Sequence, residues 1–444
     1  MIESLLVANR GEIARRIIRT AKRLGVRTIA VYSEADAGMP FVTEADEAIR
    51  VGPANPAQSY RNAEAILAAA KSTGAQAIHP GYGFLSENAD FARAVEANGL
   101  IWVGPSADAI TAMGDKINAR NLMAEAGVPV APGSHDPAAT VQAAIEAATT
   151  IGYPVMVKAA AGGGGMGMAV AADEAVLRTE YDKVRAFAER MFGDGSVLIE
   201  RYFPRVRHVE VQILGLADGR VVALSERECS VQRRNQKLVE EAPSPAVDPS
   251  RRRALLAAAV QAGEAVGYRN AGTVECLLDP ATGEFFFLEM NTRLQVEHPI
   301  TELIHGTDLV EQQLRIAAGL APNFDLDRPT SGHAIELRIN AEDPKRFLPG
   351  PGKVTTWVEP TGDGVRVDSG YAEGTTVTPF YDSLMAKLIV FGADRADALA
   401  KAATAVAGFE IAGPKNNLPF FAELLANDEF RSGDYDTGIV SRMR

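Results

Sequence analysis

Apolar and polar positions in the first third of the chain alternate between two periods. Residues 5–8 form a short apolar run, which is typical of a buried strand, and residues 12–24 carry apolar side chains at helical spacing up to Gly25. Further strands are predicted at 27–32, 77–79 and 101–103, with a helix at 62–71. This alternation predicts an α/β unit with helices on both faces of a parallel sheet. Ligands of such sheets bind beyond the carboxyl ends of the strands, which here are the loops 9–12 and 80–88.

The pattern changes in the second third of the chain. A helix is predicted at 115–126, and Pro129 and Pro132 mark a connector. Residues 151–203 form a small unit in which a helix capped by Asp173 follows two short strands and precedes a third. These strands are predicted at 155–158, 168–170 and 197–200. Longer antiparallel strands are predicted at 208–214, 221–225, 273–278, 285–291 and 334–339, and a last helix at 394–408. This part is therefore predicted to be α+β.

Four consecutive glycines, Gly162–Gly165, lie between the predicted strands that end at Lys158 and begin at Met168. Glycines let backbone N–H groups approach phosphate oxygens closely, and Lys158 can place an ammonium beside the same phosphates. The run is neither a Walker A motif nor a Gly-x-Gly-x-x-Gly turn that opens a helix. We expect a mobile hairpin lid over a phosphorylated ligand. The alternative is a flexible linker.

Two acids, Glu275 and Glu289, lie in consecutive predicted strands. If the hairpin between them is centred on Thr282, the two glutamates face each other across the ladder, and Asn291 shares their face. Carboxylates this close repel each other unless a cation lies between them, and hard oxygen ligands suit Mg²⁺ that bridges nucleotide phosphates. The alternative is a solvated strand face. Residues 285–288 argue against it, because they are too apolar for an edge strand.

A polar segment follows directly. Arg293, Gln295 and Glu297 are spaced by two, so an extended segment points all three to one side. Arg293 suits a small oxyanion, and Glu297 can be a general base. The alternative is a salt bridge between Arg293 and Glu297.

Two further stretches carry polar side chains. In residues 208–213, Val209, Val211 and Ile213 alternate with polar residues and are predicted to face the core. The polar residues, His208, Glu210 and Gln212, then face a polar cleft. Residues 230–237 are basic in an acidic chain, so they form either a solvated loop or a cation cluster for anions.

Composition excludes several classes. The chain has 444 residues, with 45 Lys plus Arg and 57 Asp plus Glu, and this net charge of −12 argues against non-specific nucleic-acid binding. Its two cysteines, Cys229 and Cys276, make no disulfide framework and fit a reducing cytosol. The N-terminal apolar run is too short for a signal peptide. No stretch approaches the ~20 apolar residues of a membrane span. We therefore expect a cytoplasmic protein.

Taken in order, these segments resemble the ATP-grasp superfamily and, within it, the biotin carboxylases. The motifs that carry the resemblance run nearly from end to end. They are VANRGEIA at 7–14, HPGYGFLSEN at 79–88, the four glycines, QRR at 232–234 with QK at 236–237, EMNTR at 289–293 with EHP at 297–299, and ELRINAE at 336–342. The fold that this resemblance implies has three parts. They are an N-terminal Rossmann-like pre-ATP-grasp domain at 1–113, an ATP-grasp domain at 114–328 with a small lid at about 130–203, and a C-terminal biotin carboxylase domain at 329–444.

The resemblance also implies the ligands. The residues implied for ATP are Lys116, Lys158, Gly164, Gly165, Glu200, Arg201, Tyr202, Phe203, His208, Gln232, Asn235 and Leu277. Those implied for two Mg²⁺ or Mn²⁺ ions are Glu275, Glu289 and Asn291. Those implied for bicarbonate are Lys237, Arg293, Gln295, Val296 and Glu297, with Glu297 as the base. Those implied for biotin are Tyr82, Gln236 and Arg338, and the residues implied to be catalytic are Lys237, Arg293, Glu297 and Arg338.

The implied reaction is the ATP-dependent carboxylation of carrier-bound biotin with bicarbonate through carboxyphosphate. It is the first half-reaction of a biotin-dependent carboxylase, and the acceptor expected after it is acetyl-CoA or another acyl-CoA. The chain has no Ala-Met-Lys-Met biotinylation sequence, since its nearest match is Met385-Ala386-Lys387. We therefore expect a separate biotin carboxyl carrier protein and a separate carboxyltransferase as partners. A homodimer is expected from the family's standalone subunits.

The chain departs from the family pattern at three positions. Met166 and Ala169 stand in the lid where the family usually has basic residues, and Asn235 stands where it commonly has His. These changes predict weaker ATP affinity. Two alternative functions remain open at this point. One is a catalytically weak regulatory or assembly protein that binds ATP, and the other is a different ATP-grasp ligase.

Overall fold

The computed structural model describes residues 2–134, 136–160 and 166–444. The helices of this part are α1 (Gly11–Arg23), α2 (Pro40–Glu44), α3 (Ala63–Thr73), α4 (Ala89–Ala97), α5 (Ala107–Gly114), α6 (Lys116–Glu125), α7 (Val141–Ile151), α8 (Glu174–Phe192), α9 (Pro249–Ala265), α10 (His298–His305), α11 (Leu309–Ala317), α12 (Arg395–Gly408), α13 (Leu418–Ala426), α14 (Asp428–Ser432) and α15 (Ile439–Arg442). Its strands are β1 (Ser4–Val7), β2 (Arg27–Ser33), β3 (Glu47–Gly52), β4 (Ala77–His79), β5 (Ile101–Trp102), β6 (Val155–Ala159), β7 (Met168–Ala171), β8 (Val197–Arg201), β9 (Arg207–Gly215), β10 (Val221–Arg233), β11 (Gln236–Ala242), β12 (Asn270–Leu278), β13 (Phe285–Asn291), β14 (His333–Asn340), β15 (Gly352–Lys353), β16 (Thr356–Val358), β17 (Val365–Ser369), β18 (Thr376–Val377), β19 (Leu384–Gly392) and β20 (Glu410–Ala412).

The first sheet is parallel, in the order β3-β2-β1-β4-β5, which confirms the predicted α/β unit. All four residues of β1 are buried because it lies in the middle of the sheet. The loops after β1 and β4 meet at the carboxyl edge, as expected for such sheets. There the Asn9 side chain donates hydrogen bonds to the carbonyl oxygens of Pro80 and Tyr82, at 2.6 and 2.8 Å. This contact fixes the loop that carries Tyr82.

A small antiparallel sheet, in the order β7-β6-β8, carries α7 and α8 and is the lid unit that the pattern predicted. Asp173 caps α8 as predicted, since its carboxylate accepts a hydrogen bond from the Val176 N–H at 3.0 Å. Buried apolar side chains of the sheet pack against Leu177 and Tyr181 of α8. The lid therefore has a core of its own.

The central sheet is antiparallel, in the order β13-β12-β9-β10-β11-β14-β19-β17. Its last three strands lie beyond residue 329, so the C-terminal part extends this sheet, and it also forms two small two-stranded sheets, β15-β18 and β16-β20. On one face, Val209, Val211 and Ile213 pack in the same apolar core as residues of α9, as predicted. The opposite face is polar and also buried.

This polar face corrects two sequence-based expectations. Glu210 and Gln212 were expected to face a cleft, but both side chains are fully buried, and Gln212 accepts a hydrogen bond from Arg227 at 2.7 Å. Arg227 also donates to Thr301 of α10, which covers this side of the sheet. Residues 230–237 are no solvated loop: β10 runs to Arg233 and β11 begins at Gln236. The polar sequence hid the ends of these strands because Lys237 contacts acids of other segments and the residues of the turn, Arg234 and Asn235, are exposed.

The β12–β13 hairpin has the predicted pairing where it matters for the site. Glu275 lies opposite Glu289, and Thr273 lies opposite Asn291. The assumption of one register centred on Thr282 is wrong nearer the turn, because a bulge after Glu275 places Cys276 opposite Phe287.

The prediction that residues 285–288 are too apolar for an edge strand is also wrong. β13 is an edge strand of the central sheet. The connector before the lid and the segment after β8 cover it, since the Phe287 N–H donates to the Pro129 carbonyl oxygen at 2.7 Å and Phe286 stacks on Phe203 with ring centroids 5.1 Å apart. Covering an edge in this way lets it carry apolar residues.

A buried ionic network joins the end of the chain to the central sheet. The Glu241 carboxylate of β11 accepts hydrogen bonds from His333 at 2.6 Å, from Arg395 at 2.7 and 3.0 Å and from Tyr435 at 2.5 Å. Burial alone would raise the pKa of Glu241, but His333 and Arg395 lower it to about 2. Glu241 is therefore ionised and holds β14, α12 and the C-terminal segment together.

No helix of the described residues combines the length and the apolar character that a bilayer crossing requires.

The first prediction concerns Glu241→Gln. Because the folded-state pKa is lowered, the stabilisation is complete above the ordinary glutamate pKa of about 4.5 and is lost as the pH falls towards 2. At neutral pH the variant should lose roughly 3 kcal/mol, since Arg395 keeps its charge without its buried partner. The measurement is urea or thermal unfolding at several pH values. The exposed Glu174, paired with Arg178 on α8, gives the control Glu174→Gln, for which we expect under about 0.5 kcal/mol. Equal unfolding of the two variants would contradict the assignment.

Candidate active site

Two adjoining pockets, of about 700 and 790 Å³, lie between the central sheet, the lid and the N-terminal sheet. His208, Glu275 and Glu289 line both pockets, so they form a shared wall. A group in one pocket can therefore reach a group in the other across these side chains.

One ammonium group, that of Lys237, contacts three carboxylates at this wall. The Lys237 Nζ lies 2.5 Å from Glu210 Oε2, 2.7 Å from Glu275 Oε1 and 2.7 Å from Glu297 Oε1. Burial would lower the pKa of Lys237, but the three carboxylates raise it well above its ordinary value. The lysine is therefore protonated and neutralises acids from three separate elements.

Strand pairing brings these acids together. Glu210 of β9 lies directly opposite Glu275 of β12, and Glu297 lies just before α10. Glu210 has a second cation, since Arg227 Nε donates to its Oε1 at 2.5 Å. Without Lys237 and Arg227, the negative charges of these buried carboxylates would repel one another.

Glu297 is fully buried and is held as a carboxylate. Its Oε2 lies 3.0 Å from Arg338 Nη2, and the same Nη2 lies 2.6 Å from Glu240 Oε1. Burial would raise the pKa of Glu297, but Lys237, Arg338 and Arg227 hold it well below its usual range. Glu297 is therefore ionised and reaches the cleft through Lys237 and Arg338.

The extended arrangement predicted for Arg293, Gln295 and Glu297 is wrong. The segment turns into α10 after β13, and Glu297 is the N-cap residue of that helix. Arg293 pairs with Glu87 at 2.9 Å instead of forming the alternative salt bridge with Glu297. It also donates to the side chain of Gln295 at 2.8 Å, and both side chains line the cleft.

The three residues predicted to bind metal lie together. The Asn291 side chain donates to Glu275 at 2.8 Å, and His208 Nε2 lies 2.9 Å from the other oxygen of Glu275. Glu289 is partly exposed, with Lys116 3.9 Å away. Burial and the neighbouring Glu275 raise the pKa of Glu289. Burial is the larger cause, and the like charge of Glu275 adds to it. Two carboxylates with one amide oxygen fit a hard divalent cation such as Mg²⁺.

The residues predicted for ATP lie in one pocket, with two exceptions. Gly164 and Gly165 lie outside the described residues. The other predicted residues all line the larger pocket: Lys116, Lys158, Glu200, Arg201, Tyr202, Phe203, His208, Gln232, Asn235 and Leu277. Lys158 is paired with Glu200 at 2.5 Å, and His208 Nδ1 lies 2.6 Å from the Gln232 side-chain nitrogen.

The residues predicted for biotin and bicarbonate line the smaller pocket, except for Glu297. They are Tyr82, Gln236, Lys237, Arg293, Gln295, Val296 and Arg338. Glu297 lies behind this wall, with its side chain fully buried.

Sequence analysis missed several site residues. Met156, Met168 and Phe347 form apolar walls of the larger pocket. Glu87 had a signal, because it follows Tyr82 in the motif at 79–88, and it orients Arg293. Phe347 lies far along the chain and had no local signal.

Family models match three stretches of the chain. They are described as the biotin carboxylase N-terminal domain at 1–110, the ATP-binding domain of the carbamoyl-phosphate synthase L chain at 115–323, and the biotin carboxylase C-terminal domain at 336–442. Biotin carboxylase 2 of Bacillus subtilis is 50% identical over 443 residues, with 100% of both chains covered. The chain belongs to the biotin carboxylase family. It is an ATP-dependent ligase with the fold of that family.

Two further relatives bear on ligands and acceptor. A pyruvate carboxylase polypeptide of Methanothermobacter thermautotrophicus is 48% identical, with 100% of this chain and 90% of the relative covered. A solved structure of the Hydrogenobacter thermophilus 2-oxoglutarate carboxylase biotin carboxylase domain is 44% identical, with a TM-score of 0.94 and 100% and 98% of the two chains covered. That structure is a dimer with MgADP, ADP and bicarbonate.

The second prediction concerns Glu289→Gln. The variant should need at least about tenfold more Mg²⁺ for half-maximal nucleotide binding, because even outer-shell partners of a metal contribute that much. The measurement is a titration of ADP binding with Mg²⁺. Glu284→Gln, an exposed acid of the same hairpin, is the control and should behave as the unmodified protein. Equal Mg²⁺ dependence of both variants would remove Glu289 from the metal site.

Proposed function

We propose that the chain carboxylates biotin on a separate carrier protein, using bicarbonate and ATP through carboxyphosphate. The observation that carries the proposal is the shared wall of the two pockets. Glu275 and Glu289, which suit a metal–nucleotide complex, line both pockets, and Lys237, Arg293, Gln295 and Arg338 line the smaller one. ATP in the larger pocket and bicarbonate in the smaller one then meet at this wall.

In this proposal the larger pocket binds MgATP. Lys116, Lys158 and His208 neutralise the phosphates, and Glu275, Glu289 and Asn291 hold the divalent ions. These ions supply charge neutralisation for the triphosphate when they are bound. Electrostatic positioning of this kind is the main catalytic contribution in phosphoryl transfer.

Bicarbonate enters beside Arg293, Gln295 and Lys237. An anion competes with Glu297 for the Lys237 ammonium, so Glu297 loses part of the stabilisation of its carboxylate. Its pKa then rises, and it becomes a stronger base at the place where the bicarbonate proton lies. Glu297 takes that proton, and the carbonate oxygen attacks the γ-phosphorus and releases ADP.

Carboxyphosphate then breaks down to CO₂ and phosphate. The phosphate takes the N1′ proton of biotin, and the ureido enolate attacks CO₂ to give carboxybiotin. Arg338, held by Glu240 and Glu297, stabilises the enolate oxygen. Tyr82 and Gln236 contact the biotin ring.

The proposal also covers the domain division, the partner proteins, the oligomeric state and the cellular location. The domain division is 1–113, 114–328 and 329–444, and the site residues are those given for ATP, metal, bicarbonate and biotin above. The partners are a biotin carboxyl carrier protein and a carboxyltransferase on separate chains, and a second copy of this chain forms a dimer. We place the reaction in the cytoplasm, within an acetyl-CoA carboxylase complex of fatty acid biosynthesis or a related acyl-CoA carboxylase.

The third prediction tests the reaction. ATP cleavage by the purified chain should depend on bicarbonate, and free biotin should stimulate it further. Arg338→Gln should keep the bicarbonate-dependent part and lose most of the biotin stimulation, because Arg338 acts on biotin. Tight ATP binding without turnover would instead support a regulatory role. ATP cleavage that is stimulated by an amine but not by bicarbonate would support the function of another ATP-grasp ligase.

The fourth prediction concerns Asn235. It lies in the tight turn between β10 and β11, with a positive φ of 63°, and it lines both pockets. Asn suits this left-handed conformation, and His tolerates it. Asn235→His should lower the KM for ATP about threefold, by the worth of one hydrogen bond. Asn235→Ala is the control for the loss of the amide. An unchanged KM in the His variant would show that the position does not contact nucleotide.

A further inference from the structure

Lys387 of β19 is fully buried and lies behind the smaller pocket. Its Nζ donates to the Val296 carbonyl oxygen at 2.9 Å and lies 3.2 Å from Glu12 Oε2. A lysine this deep is rare unless it is paired, and each unmade contact would cost free energy. The role of this ammonium is therefore set by the two groups that it contacts.

Glu12 forms the other half of the contact. It lies in the first turn of α1, its side chain is 2% exposed, and its Oε1 accepts a hydrogen bond from the Tyr82 hydroxyl. The groups therefore form an unbroken sequence: Val296 carbonyl, Lys387 ammonium, Glu12 carboxylate and Tyr82 hydroxyl. At one end lies the Val296 backbone, which is proposed to bind bicarbonate. At the other end lies Tyr82, which is proposed to contact biotin.

The charges around Lys387 make Glu12 its main counter-ion. Lys387 lies directly opposite Arg338 in the ladder between β19 and β14, so two cations are cross-strand neighbours. Arg338 is neutralised by Glu240 and Glu297. Asp368 lies 3.9 Å from Lys387 but is held by Arg366 at 2.7 Å.

The four residues of this series of polar contacts come from separate parts of the chain. Tyr82 follows β4, Glu12 lies in the first turn of α1, Val296 precedes α10, and Lys387 lies in β19. Because they belong to different elements, the distance between Tyr82 and Val296 is set by tertiary contacts. The buried ion pair is a direct polar link between the two.

We propose that Glu12 and Lys387 are positioning residues, which hold the biotin-contacting Tyr82 in register with the Val296 backbone of the bicarbonate site. The inference rests on the proposed function. Glu12 lines the smaller pocket and Lys387 lies behind it, and neither is assigned to a reacting atom in the mechanism above. Their removal should therefore affect the use of biotin and bicarbonate more than the binding of ATP.

The test compares Glu12→Gln, Lys387→Met, Tyr82→Phe and the double variant Glu12→Gln/Tyr82→Phe in biotin-stimulated ATP cleavage. Glu12→Gln should raise the KM for biotin about tenfold and leave the KM for ATP within about twofold, because Lys387 loses its counter-ion and the Tyr82 hydroxyl then donates to a neutral amide oxygen. Lys387→Met should raise the KM for both bicarbonate and biotin. The double variant should be no worse than the more impaired single variant, since both changes break the same link.

Glu241→Gln is the matched control, because it also removes a buried paired carboxylate but lies in the network of the C-terminal segment. It should lower stability and leave the KM for biotin and bicarbonate unchanged. If Glu12→Gln and Lys387→Met behave in the same way, or if the Glu12 and Tyr82 effects add fully, the inference is overturned. Lys387→Arg replaces Lys387→Met if the latter does not fold, and it should give a smaller rise in both KM values. A lack of biotin stimulation in the unmodified chain would instead overturn the proposed function first, and this inference with it.

Discussion

The ammonium of Lys237 is the interaction on which the site depends. It lies within 2.7 Å of three carboxylates that come from β9, from β12 and from the turn before α10. Removing one partner from a buried ion pair costs about 3–5 kcal/mol, and here a single cation serves three acids. The same group thus joins the acids suited to metal with the residue suited to be the base. Because of this link, an anion that draws Lys237 away from Glu297 changes the chemistry of the base.

The central sheet explains how so many charges lie inside one fold. One face is apolar and shares a core with α9. On the other face buried acids are paired with cations of neighbouring strands, as with Glu210 beside Arg227 and Arg338 beside Glu240. Buried ion pairs of this kind add little net stability compared with apolar packing. Their advantage is that the charges are already oriented before substrates arrive, so little reorganisation is needed during reaction.

Much of the fold could be predicted from local pattern. The α/β unit, the lid strands and the pairing of Glu275 with Glu289 followed from periodicity and from the position of one turn. The predictions were wrong where tertiary contacts outweigh the hydrophobic periodicity of the sequence. The bulge beside Leu288, the covered edge of β13 and the pairing of Arg293 with Glu87 depend on distant segments. The turn before α10 had a local signal, because Pro299 in the first turn of a helix indicates a helix start at Glu297. Lys387 had no such signal, since its partners lie about 90 and 375 residues away in sequence.

The central claim is that Lys237 lowers the pKa values of Glu210, Glu275 and Glu297 against the effect of burial. Thermal unfolding of Lys237→Met between about pH 8 and about pH 6, with a chelator present so that no metal replaces the ammonium, tests it most directly. Without the lysine the carboxylates' pKa values rise above those of the unfolded chain, so the variant should become more stable as the pH falls. The variant should gain more stability than the unmodified protein over this range, since the raised pKa values of Glu240 and Glu336 make both proteins more stable as the pH falls. Parallel pH profiles of the two proteins would contradict the account.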